Sequence, residues 1–241
     1  MFTQLPLRLI ILSLLVSSGF SSAQDTATDP DQEQNKTGYR VSLFSAWKGP
    51  TLYYKGKKEE YHPLEAYKMS YTKPLPYERG KPIIFYTKIE NTGEEPVYQP
   101  YLRTALPVQV IEPLIVLYWS QKSQKGYSQV LEFSPRRFPY GSYQFVNLGS
   151  TNIVGYIKEK THRFQCAPLK STISNKSAKN GEVIPIEMVT KNGAETVLVY
   201  SSVVKHRNQK RMIFFLYPEK SQTGRLVYKV DLLEDYSQEG S

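Results

Sequence analysis

From Tyr39 onward the chain alternates short apolar runs with breaks of Pro, Gly and polar residues. No segment keeps apolar residues at i, i+3, i+4 and i+7 over a helical length, so the pattern is that of strands rather than helices. It predicts strands over residues 39–47, 64–71, 83–90, 97–104 and 113–119 in the first half. In the second half it predicts strands over 142–148, 153–157, 163–166, 183–190, 196–204, 212–217 and 225–232. Short strands separated by turn signals are the signature of a sandwich or barrel. The expectation is an all-β protein with two tandem β-sandwich-like (Ig-like) domains, at residues 39–119 and 120–233.

Turn chemistry supports this reading. Asn192-Gly193 lies between "VIPIEMVTK" and "AETVLVYSS" and suits a tight hairpin, because both residues tolerate positive φ. "SQTG" (221–224) is a turn signal of the same kind before the last strand. "KHRNQKR" (205–211) joins two strands and is expected to be a solvated, basic hairpin tip. A faint repeat links "LPYERGKPIIFYTKIENTGEEPV" (75–97) to "FPYGSYQFVNLGSTNIV" (138–154). Each half has Pro-Tyr, a glycine, a strand and then Asn-x-Gly, which can end a strand by bonding nearby backbone and turning left-handed. In the second half Pro139 and Gly141 should turn the chain, "SYQFVNL" should be a core strand and Asn147-Leu148-Gly149 should end it.

The ends change the picture. Arg8 precedes an apolar run from Leu9 to Val16, followed by small residues Ser21 and Ala23. This is the three-part pattern of a secretory signal peptide over residues 1–23, and the run is shorter than the roughly 20 residues a spanning helix needs. Residues 24–38 are polar and aperiodic and read as a disordered lead. The expected mature chain is therefore exported, to the periplasm or the cell surface, with no transmembrane segment. The only cysteine, Cys166, can form no internal disulfide and reads as a small buried hydrophobe.

Charge is uneven. The whole chain carries +9. Residues 120–230 hold 18 bases against 6 acids, residues 39–119 hold 11 against 8, and residues 231–241 hold four acids and no base. The last strand should thus give way to an acidic tail at 234–241. A basic surface favours anionic partners. Export makes acidic polysaccharide, membrane headgroups or an envelope protein the accessible ones, and nucleic acid is not expected as the partner.

Catalytic constellations are not visible. The chain has no H-E-x-x-H, G-x-S-x-G or P-loop. His162 and Cys166 lie four apart, which on a strand is about 13 Å and too far for one metal ion. No cofactor is implied. Two basic-aromatic clusters remain as binding candidates: Arg136, Arg137 and Tyr140, and Lys205, His206, Arg207, Lys210 and Arg211. Arginine suits phosphate and carboxylate through its planar fork, and tyrosine can stack on sugar rings.

"ALPVQVIEPLIVLYW" (105–119), "FPYGSYQFVNLG" (138–149) and "YSSVVKHRNQKRMIFFLYP" (200–218) follow one another in an order that resembles a group of uncharacterised secreted proteins of environmental Gram-negative bacteria. The resemblance covers roughly residues 105–233 and implies an exported all-β protein, with no activity attached. The leading expectation is an exported, non-catalytic envelope or binding protein that recognises anionic polysaccharide or lipid headgroups. A structural subunit of an envelope assembly and a hydrolase with an inter-domain site are the alternatives.

Overall fold

Two runs of the chain, "PLIVL" at 113–117 and "MIFFL" at 212–216, are apolar at every position. A strand facing water on one side alternates, so an unbroken run is the mark of a strand covered on both faces. The computed structural model shows this arrangement. It describes residues 38–43, 47–56, 58–78, 80–120, 123–158, 161–175, 178–220 and 226–237. The expected signal peptide, nearly all of the lead, the turn at 221–224 and the last four residues of the acidic tail lie outside the described residues.

The described chain is all-β. Its strands are β1 (Arg40–Leu43), β2 (Tyr53–Lys55), β3 (Tyr61–Pro63), β4 (Ile83–Ile89), β5 (Val97–Thr104), β6 (Pro113–Ser120) and β7 (Lys125–Glu132). They continue with β8 (Tyr143–Asn147), β9 (Ile153–Ile157), β10 (His162–Cys166), β11 (Ser171–Ser174), β12 (Val183–Asn192), β13 (Glu195–Lys205), β14 (Lys210–Lys220) and β15 (Leu226–Tyr236). Four sheets result. The first has the order β3-β2-β4-β5, the second β1-β6-β7, the third β11-β8-β14-β15 and the fourth β10-β9-β12-β13.

Three apolar cores lie between these sheets and stack them in that order. Ile83 and Phe85 of the first sheet pack with Val41, Ile115 and Leu117 of the second. Leu114, Val116 and Leu131 of the second pack with Val146, Ile213, Phe215 and Leu233 of the third. Phe145, Phe214 and Leu216 of the third pack with Ile153, Ile157, Ile186 and Met188 of the fourth. Alternate residues of β6 and of β14 thus enter two different cores, which explains their unbroken apolar runs. The parallel pairs, β1 with β6 and β8 with β14, both occur in the two inner sheets.

The first two sheets use residues 40–132 and the last two use residues 143–236. β6 and β7 pair antiparallel as far as Ser120 with Lys125, so residues 119 and 120 share a sheet with residues 125 and 126. Several local expectations change. Residues 64–71 form no strand: Met69 takes φ +53 and Ser70 N donates to Tyr67 O, so the segment turns. β2, β3, β7 and β11 fall outside the strands that the apolar pattern predicts. Asn192 and Glu195 pair across the turn expected there, with Gly193 at φ +64. The two halves of the internal repeat diverge after their Asn-x-Gly. The first closes a hairpin between β4 and β5, whereas the second carries the chain from the third sheet to the fourth. Asn147 makes that crossing by donating through Nδ2 to Thr151 O (2.8 Å) and Cys166 O (3.0 Å), while Oδ1 accepts from Gly149 N (2.9 Å). Cys166 is buried and free, and burial pushes its thiol pKa up.

Candidate functional site: the basic end of the third sheet

The two basic segments meet. The chain leaves β7, turns through residues 134–138 with Phe138 N donating to Ser134 O (2.9 Å), and enters β8 through Gly141 at φ +81. Gly141 N donates to Lys210 O (2.9 Å), which joins this turn to the start of β14. A side chain at position 141 would demand a left-handed conformation that glycine alone takes without cost.

Residues 205–211 do not form the solvated hairpin tip expected from the sequence. β13 belongs to the fourth sheet and β14 to the third, so the segment is an arch between layers. His206 holds that arch in place: its N donates to Glu182 O and its O accepts from Gly181 N, both at 2.8 Å. The residue is 3% exposed, and its ring lies 2.8 Å from the Tyr143 hydroxyl at Nδ1 and 3.1 Å from Asn208 Oδ1 at Nε2. A tautomer with its proton on Nε2 serves both contacts. Burial, and then the charge of Glu182, raise the Tyr143 hydroxyl to about 12, so it remains a donor at neutral pH.

Arg211 is also inside the fold. It is 3% exposed and its partner Asp235 6%. Nε donates to Asp235 Oδ2 (2.6 Å), and NH1 donates to the carbonyls of Phe133 and Phe138, both at 2.8 Å. The guanidinium lies 4.0 Å from the Phe133 ring, 5.0 Å from Phe138 and 4.8 Å from Tyr140. Tyr71 donates its hydroxyl to the other oxygen of Asp235. Burial, then the contact with Asp235, raise the Tyr71 hydroxyl to about 12. Arg40 of β1 stands 5.5 Å from the Tyr71 ring and 5.7 Å from Phe133. One arginine thus ties the third sheet to the turn at 133–138 and to the loop at Tyr71, and a lysine could not make the same forked contacts. Breaking such a pair leaves an uncompensated buried charge, a loss of about 3–5 kcal/mol.

The eight sequence candidates therefore divide. His206 and Arg211 are buried structural residues. Tyr140 is half-buried against Arg211. Lys210 pairs with Glu234 at 2.8 Å. Arg136, Arg137, Lys205 and Arg207 are exposed around this clamp, and the side chains of the first three make no hydrogen bond or ion pair with a described residue. Sequence reasoning missed Asp235 and Glu234, which read as the start of an acidic tail and instead belong to β15. The missing signal was register. β14 and β15 are each 11 residues long, and pairing them end to end sets Arg211 opposite Asp235.

Among the described residues, no group of three or more His, Cys, Asp or Glu side chains is placed to hold a metal ion. Among them, no helix is long and apolar enough to cross a membrane. No protein-family model and no curated protein matches the chain.

Proposed function

We propose that the protein is an exported, non-catalytic binding module of the cell envelope or cell surface, and that its partner is an acidic polysaccharide. The observation that carries this reading is the meeting of the two basic segments at one end of the third sheet. The fold uses Arg211, His206 and Lys210 internally and leaves Arg136, Arg137, Lys205 and Arg207 facing solvent. Exposed cations attract anionic polymers in a salt-dependent way, and a frame that fixes their backbone positions spares the cost of ordering a loop on binding. The secretory pattern at the N-terminus and the resemblance to secreted proteins support export.

Binding of the purified protein to polygalacturonate, a neutral glucan and anionic vesicles, each at low and high salt, tests the reading. Salt-sensitive binding to polygalacturonate is expected, weakened at least tenfold when Arg136, Arg137 and Arg207 are changed together to Gln. Equal affinity for the neutral glucan, or binding indifferent to salt, contradicts it. Binding to vesicles alone moves the partner to lipid headgroups.

A further inference from the structure

The outward face of the fourth sheet carries a second feature with no part in the basic end. A depression of about 490 Å³ lies across β10, β9 and β12 and opens to solvent. This is within the size range of small-ligand sites. Val154 of β9 and Val189 of β12, which are register partners, form an apolar floor. Tyr156 stands beside them, and Arg163, Gln165 and Lys191 complete the border. A β-bulge interrupts the β12–β13 pairing between Met188 and Val189, directly at the floor. Bulges bend a sheet locally and recur beside binding sites.

The charges here are unspent. Arg163 and Lys191 are exposed and form no ion pair with a described residue. None of the residues lining the depression is acidic. Glu187, opposite Tyr156 on β12, bounds the adjoining hollow instead. Arg163 pairs with Tyr156, and Lys191 lies one residue beyond the Thr190–Ile153 pair. The two cations are therefore about 13 Å apart along the strands and two strand spacings, about 10 Å, across them. A ligand that engages both must be long, carry anionic groups at separate positions and rest a C–H-rich surface on the valines and the tyrosine. Gln165 offers an amide to neutral hydroxyls between the charges. An acyl chain would want an enclosed apolar wall, and this floor is two valines wide.

From this geometry we infer a binding site for an acidic oligosaccharide on the outer face of the fourth sheet, with Arg163 and Lys191 holding separate acidic groups and Val154, Tyr156 and Val189 carrying the sugar rings. The inference takes the class of ligand from the function proposed above, but it assigns a different site.

Amide chemical-shift mapping of the labelled protein, titrated with tetragalacturonate and separately with maltotetraose, tests it. The expected result is perturbation of β9, β10 and β12 by the acidic sugar and none by the neutral one. R163Q/K191Q should weaken that binding at least tenfold, since each cation contributes a charge-assisted hydrogen bond. R136Q/R137Q should leave the affinity at this face within about threefold, because additivity holds for separated sites. Perturbation confined to residues 134–141 and 205–210 would overturn the inference and leave the proposed function standing. Absence of any perturbation would defeat both. Equal response to the neutral sugar would overturn the role given to Arg163 and Lys191.

Discussion

The first and fourth sheets are the two outer layers of the stack, and their outward faces are built on opposite terms. On the first, Tyr61 stacks on Tyr98 with centroids 4.1 Å apart and planes 5° from parallel. Tyr86 meets Tyr61 edge-on at 5.0 Å, and Tyr53 meets Tyr98 at 5.1 Å. Lys55 pairs with Glu59 at 2.5 Å and Lys88 with Glu90 at 2.8 Å. These rings and charges satisfy one another, and they hold two strands, β2 and β3, of only three residues each. On the fourth sheet Arg163 and Lys191 have no such partners among the described residues. The difference follows the local supply of acids: 11 bases to 8 acids over residues 39–119, against 18 to 6 over residues 120–230. A charged face whose partners lie within the fold contributes to folding. One whose partners are missing is available to a ligand.

The buried clamp is the extreme case of the first kind. Arg211→Ala should lower unfolding free energy by about 3–5 kcal/mol, read from urea or thermal denaturation. A loss under about 1 kcal/mol would mean that Asp235 finds water or another partner, and the contrast between spent and unspent cations would weaken. Next in size is Tyr61→Ala. Removing two ring contacts on the first sheet should cost about 2 kcal/mol, with Tyr61→Phe close to neutral because the rings rather than the hydroxyl make the contacts.

A smaller effect concerns acid. Burial works against ionisation of Glu132, but the backbone amides of Ile111, Ser134 and Glu112 outweigh it and hold the carboxyl below its usual range. Its folded pKa lies below the unfolded value of about 4.3, so the stabilisation is present above that pH and is lost as pH falls through the folded value. Wild type should therefore be more stable than Glu132→Gln at neutral pH, with the gap closing below about pH 4. A gap constant with pH would assign Glu132 a role other than its charge. The smallest expected change is in R163Q/K191Q, whose stability without ligand should stay within about 0.5 kcal/mol of wild type.

Much of the fold was legible because its signals are local. Strand alternation gave the all-β class, Asn192-Gly193 gave a hairpin, and Pro139, Gly141 and Asn147 gave the limits of β8. Three-residue strands such as β2 and β3 carry too little pattern to stand out. The stacking was written in the unbroken runs of β6 and β14, which reveal burial on two faces only if read as runs rather than as ordinary strands. A hairpin and an arch have the same turn chemistry, so residues 205–211 could not be distinguished by composition. The clamp depends on Arg211 and Asp235, 24 residues apart and joined by register. The fourth-sheet depression assembles residues from three strands, and nothing along the chain brings Arg163 and Lys191 together.

Thermal unfolding with and without saturating tetragalacturonate, for wild type and R163Q/K191Q, tests the division between the two kinds of charge most directly. A ligand that binds only the folded state raises the midpoint. The account predicts a clear upward shift for wild type, a distinctly smaller one for the variant, and equal midpoints for the two proteins without sugar. A variant that melts well below wild type in the absence of sugar would contradict it, because those cations would then belong to the fold.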